Sequence, residues 1–159
     1  MSKSKFKTMR HIEAVRNYLN AVVCELIARA QKHDQSKLQP PEAAIFEEYT
    51  PKLRGCTYGS DEYRRYMDEM KVAIEHHQKH NRHHPEHHAN GIYDMTLIDL
   101  LEMLCDWKAA TMRHDDGNIY RSLDINRQRF NYDAGIGDIL KNTIDWIEEL
   151  EVCHNADES

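Results

Sequence analysis

The sequence is poor in the residues that punctuate strands and turns. Six glycines and four prolines are spread over 159 residues, too few for the turn-rich chain of an all-β domain. No stretch approaches the roughly 18 consecutive apolar residues of a membrane-spanning helix. The first ten residues are basic but carry no apolar core, so they do not read as a signal peptide. Positive charge is not in excess either: 21 Lys and Arg stand against 27 Asp and Glu, a net charge of −6. That balance argues against a general nucleic-acid or anionic-membrane surface, and allows a small phosphorylated substrate. The four cysteines, Cys24, Cys56, Cys105 and Cys153, form no CxxC pair. Cys24 and Cys105 lie inside apolar helical patterns, and the expectation is buried free thiols in a reducing compartment. A soluble, cytoplasmic protein is expected.

What is present reads as helix. Hydrophobic residues make up 40% and charged residues 30%, enough to build a core in one domain. Apolar residues recur at three- and four-residue spacing from about Lys7 to Lys32, through Ile12, Val15, Leu19, Val22, Val23, Leu26 and Ile27. Pro40-Pro41-Glu42 opens a second helix to about Leu53, burying Ala44, Ile45 and Phe46. After a loop over Arg54–Ser60, a third helix carries the stripe Tyr63, Tyr66, Met67, Met70, Ile74, His77. The segment His80–Gly91 reads as an ordered loop. A fourth helix, Met95–Met112, is apolar almost all round and should be central. A turn at His114–Asn118 leads to helices over Ile119–Phe130 and Ile136–Val152. With no strand-like alternation and no internal repeat, the expectation is one all-α domain of about six helices spanning 1–159, with 1–6 and 154–159 flexible.

The chain is rich in histidine: 11 residues, seven of them between His76 and His88. An exposed His-rich tract usually binds metal only adventitiously. His77, however, continues an inward stripe, and His83 and His84 follow about one turn beyond it, with His76, His87 and His88 expected at the surface. His33-Asp34 at a helix end offers nitrogen and oxygen to one cation, a mix suited to Zn, Mn, Fe or Ni. On the apolar fourth helix Asp99, Glu102 and Asp106 share one face. Carboxylates there must pair with basic side chains or bind metal. His11 lies on the same face of the first helix as Val15. The arginines Arg121, Arg127 and Arg129 alternate with acids and read as a solvated mixed-charge face.

The order His11, His33-Asp34-x-x-Lys37, His77 with His83 and His84, then Asp106 resembles the HD-domain superfamily of metal-dependent phosphohydrolases. The chain is also similar to a family of small, often phage-encoded proteins carrying His33-Asp-x-Ser-Lys37, Asn81-x-His-His-Pro-Glu86 and Glu102-Met-x-Cys-Asp-Trp107. The first resemblance implies an all-α fold with one or two divalent transition-metal ions (Mn, Fe, Co, Ni or Zn). Their ligands would be His11, His33, Asp34, His77, His83, His84 and Asp106. Two departures stand out. Gln35-Ser36 replaces the small apolar pair common after the doublet. His11 and His33 are 22 residues apart, about 33 Å along a straight helix. They share a metal only if that helix breaks near Asn17–Asn20; otherwise His11 drops out.

The expected activity is hydrolysis of a nucleotide or nucleotide-derived phosphate ester. Asp34, Lys37 and Glu102 are the catalytic candidates: Lys37 meets a phosphate, and Glu102 or Glu42 serves as a supporting acid or base. A non-catalytic protein sequestering a metal or nucleotide is the main alternative, and an iron-dependent oxygenase of the same fold the lesser one. A homo-oligomer is compatible with the sequence.

Overall fold

The computed structural model describes residues 2–56, 60–112 and 117–157, with side chains described as far as residue 150. The chain divides into two compact units, Met1–His77 and Gln78–Ser159. Among the described residues every regular element is helical. The expected turn at 114–118 falls largely outside the described residues, as does the side chain of Cys153.

The first unit opens with α1 (Lys3–Lys32), 30 residues long. Ser2 caps its start by accepting the Lys5 backbone N–H at 3.2 Å. Arg29 and Lys32 in the last turn suit the negative end of the helix dipole. The helix runs unbroken from four residues before its expected start, so residues 3–6 are helical. None of its residues is buried, contrary to the inward face expected for Ile12 to Ile27. Cys24 is exposed as well. Periodicity shows that a helix has an apolar face; it does not supply a partner for that face.

Past α1, Asp34 takes a left-handed conformation (φ 57°) that turns the chain into a 3-10 segment, Gln35–Leu38. Asp tolerates this region better than most residues, because its short side chain can bond locally. α2 (Glu42–Arg54) packs on that segment and on α3 (Asp61–Glu69). Ile45 and Phe46 are half-buried, but Ala44 is exposed and the fully buried residue of α2 is Glu42. Ser60 caps α3 through the Tyr63 N–H at 3.1 Å. The expected third helix is two: α3 ends at Met70, and α4 (Lys71–His80) follows at once. The inward stripe survives this break, with Met70 and His77 buried, Tyr63, Tyr66, Met67 and Ile74 half-buried, and Ala73 buried beside them.

The second unit holds the hydrophobic core. The loop after α4 is ordered as two 3-10 turns, Pro85–His87 and Gly91–Asp94. α5 (Leu97–Thr111) packs on α6 (Ile119–Phe130), which packs on α7 (Ala134–Asp157). Ile92, Met103, Leu104, Ile119, Leu123, Tyr132, Leu140 and Ile144 form one buried cluster. Trp107 stacks on Phe130 at its border, with ring centroids 6.0 Å apart. α5 is less enclosed than its composition implies: Leu97 and Cys105 are exposed. The described residues hold seven α-helices, close to the expected six or so, the additional one arising at Met70.

Candidate metal centre

In the first unit, the end of α1, the start of α2 and the end of α4 converge on a cluster of ionisable groups. His33 is the C-cap of α1, and its backbone N–H reaches the Arg29 carbonyl at 2.7 Å. Its Nε2 lies 3.6 Å from Asp34 Oδ2. The left-handed turn at Asp34 directs the carboxylate back toward the cluster. There Oδ2 accepts from Lys37 Nζ at 2.5 Å, and Oδ1 lies 3.2 Å from His77 Nε2. Burial raises the Asp34 carboxyl, but its neighbours His77, Lys37 and His33 together outweigh it. The net result is a carboxyl held well below the usual range.

Glu42 forms the floor. It is completely buried and accepts from His76 Nδ1 at 2.7 Å and His77 Nδ1 at 2.9 Å. The Ser36 hydroxyl donates to the same carboxylate at 3.1 Å. A carboxylate only accepts, so His77 carries its proton on Nδ1 and turns Nε2 toward Asp34. An imidazole lone pair and a carboxylate oxygen repel at 3.2 Å unless a proton or a metal ion stands between them. Two ligands of one metal, each bonded at about 2.1 Å with an angle of 90–109°, lie about 3.0–3.4 Å apart. The His77–Asp34 separation fits that edge. The Glu42–His77 pair is the arrangement by which a carboxylate orients a metal-ligating histidine.

The second unit repeats the device. His83 is buried, and its Nδ1 lies 3.2 Å from Glu102 Oε1 on α5. Its ring packs against His84, with centroids 4.2 Å apart. The Nε2 atoms of His77, His83 and His84 are each closed off from solvent. Asp106, one turn beyond Glu102, is half-buried. Asp99 has a structural role: it completes a capping box with Thr96 and takes a two-point ion pair from Arg82 at 3.0 and 3.1 Å. His87 and His88 hold the loop by donating to the carbonyls of Lys79 (2.7 Å) and Arg82 (2.9 Å).

The first unit therefore brings together His33, Asp34, Lys37 and His77, and the second brings together His83, His84 and Glu102. It is otherwise for His11. It is exposed on an unbroken helix about 33 Å from His33, so it drops out of the candidate ligand set. His76, expected at the surface, is a half-buried partner of Glu42. Ser36 was not among the expected site residues. Its only sequence signal was its place in His33-Asp-x-Ser-Lys37. Neither the curated proteins nor the solved structures contain a match. The model of the family described as "Family of unknown function (DUF5662)" matches residues 1–151, and the chain belongs to that family.

Proposed function

We propose that this protein is a metal-dependent phosphohydrolase acting on a nucleotide or a nucleotide-derived phosphate ester. The observation that carries the reading is His77, held through Nδ1 by buried Glu42, with Nε2 at ligand–ligand distance from Asp34. His33, Asp34 and His77 would serve as ligands from the first unit. Asp106, His83 and His84 keep the ligand roles that the motif order implies. A bound divalent ion would supply an acidified water and neutralise phosphoryl oxygens.

The chain's own residues have separable tasks in this reading. Glu42 and Glu102 fix the tautomers of His77 and His83, so that each presents Nε2. Lys37, held beside Asp34 and 5.5 Å from the Phe46 ring centre, is the point charge for a substrate phosphate. The reading is tested by assaying the purified chain against nucleoside phosphates with Mn, Co, Ni or Zn. Metal-dependent phosphate release that is lost in Asp106→Ala, with unchanged far-UV circular dichroism, is the expected result. Metal binding without turnover would favour a sequestering protein, and oxygen-dependent turnover on iron an oxygenase.

A further inference from the structure

The largest feature the proposed activity leaves unused is the exposed face of α1. Ile12, Val15, Leu19, Val22 and Leu26 follow one another at spacings of three, four, three and four, the repeat of a coiled-coil seam. Met9 and Val23 widen the stripe on one side. From Met9 to Val23 the stripe residues are 41–61% exposed. The six side chains on this face, Met9, Ile12, Val15, Leu19, Val22 and Val23, leave on the order of 500 Å² accessible, so two copies together would cover about 1,000 Å², the size at which a specific interface begins. A contiguous apolar surface of that size marks an interaction site.

We propose that α1 pairs with α1 of a second copy as a two-stranded antiparallel coiled coil, making the protein a dimer. The area of the stripe reaches what a specific interface needs, and the stripe runs through both halves of the helix. Charge then selects the direction. Lys3, Lys5, Lys7 and Arg10 crowd the first part of α1 and leave residues 3–16 with a net charge of +4, whereas Glu25 beside Arg29 and Lys32 leaves residues 18–32 with only +1. A parallel pair would set the four basic residues beside their own copies. An antiparallel pair centred near Asn17 sets them instead beside the weakly charged half, with Lys5 facing Arg29 of the partner subunit but His11 drawn toward Glu25 of the partner subunit, so the repulsion is smaller. The same register sets Ile12 against Val22 of the partner subunit and Val15 against Leu19 of the partner subunit. The two-fold axis makes each contact occur twice.

Sedimentation equilibrium of the full chain tests the pairing. A dimer is expected, and a wild-type monomer at every concentration overturns the proposal. Leu19→Asp should give a monomer with unchanged far-UV circular dichroism, whereas Leu97→Asp, on an exposed residue of the second unit, should remain dimeric. If Leu19→Asp fails to fold, the milder Val15→Ala/Leu19→Ala pair should still raise the dimer dissociation constant at least tenfold. A dimer indifferent to both α1 variants places the interface elsewhere and overturns the proposal. Direction is read from spin labels on Cys24, with Cys56, Cys105 and Cys153 replaced by Ser. The antiparallel register offsets the two labelled positions by about 21 Å along the helix axis. Labels side by side, at about the interhelical distance, contradict it.

Discussion

The two units solve the problem of burial with opposite materials. The second buries a continuous cluster from Ile92 to Ile144 and treats the fully buried acid Asp99 as a cap and ion-pair partner. The first buries few apolar side chains, chiefly Met70 and Ala73, and organises Ser36, His76 and His77 around a completely buried Glu42. A buried carboxylate with two imidazoles and a hydroxyl is an expensive way to hold helix ends together, since desolvation of the charge offsets much of the attraction. Its retention is accounted for if the cluster aims a ligand. The same reasoning separates the acids of α5: Asp99 is fully satisfied by Thr96 and Arg82, whereas Glu102 sits behind a buried histidine.

Four experiments sharpen or break this contrast. The largest effect should come from Asp34→Ala. Isothermal titration with Mn or Co should show binding lost or weakened by more than about 100-fold, since a direct ligand matters more than its supporting partners. Asp99→Asn should leave metal affinity within a few-fold of wild type while lowering stability by about 2–4 kcal/mol, through its cap and a broken buried pair. Equal effects of the two on metal would erase the distinction.

Next in size is the core. Ile144→Ala should destabilise the protein by about 2–5 kcal/mol in urea denaturation, whereas exposed Leu97→Ala should stay within about 0.5 kcal/mol of wild type. A smaller, more pointed change is Glu42→Gln, which keeps the shape but removes the charge that orients His77. Metal affinity should fall about 10–100-fold, and hydrolysis at saturating metal should fall less.

The smallest effect is a pH dependence read at Tyr132 in the second unit. Burial pushes the Tyr132 phenol up to about 12, and its hydroxyl donates to the Leu123 carbonyl at 2.9 Å. The unfolded phenol ionises near pH 10, so between pH 10 and 12 only the unfolded chain loses this proton. The contribution is therefore complete below pH 10 and declines as pH rises toward 12. Denaturation curves at pH 8 and pH 11 should show a smaller alkaline loss in Tyr132→Phe than in wild type.

Much of the fold was legible because helix periods and caps are local. Asn118 caps α6 where its sequence pattern begins, and α6 spans the expected Ile119–Phe130. The break at Met70 was not legible, because no Gly or Pro marks it and the inward stripe continues through it. The site was legible at His33-Asp34 and at His77, where a motif and a helix face each carry information. The choice between His83 and His84 was not, since the two are adjacent. The structure buries His83 against Glu102 and leaves His84 beside it. Glu42 shows why such residues escape a sequence reading: an acid just after two prolines suits an ordinary helix start, and its burial depends on residues 34 positions away. His11 and the face of α1 failed for a different reason, because an apolar stripe looks the same whether its partner lies in the same chain or in another.

The central claim, that the His77–Asp34 pair is one edge of a metal site, is tested most directly by elemental analysis of untagged protein. The measurement is made as purified and after loading with Mn, Fe, Co, Ni and Zn, beside Asp34→Ala and Asp99→Asn. The account predicts at least one ion per chain in wild type and in Asp99→Asn, and none retained in Asp34→Ala. A wild-type chain that carries no metal and takes up none, or an Asp34→Ala chain that keeps its full complement, would contradict it.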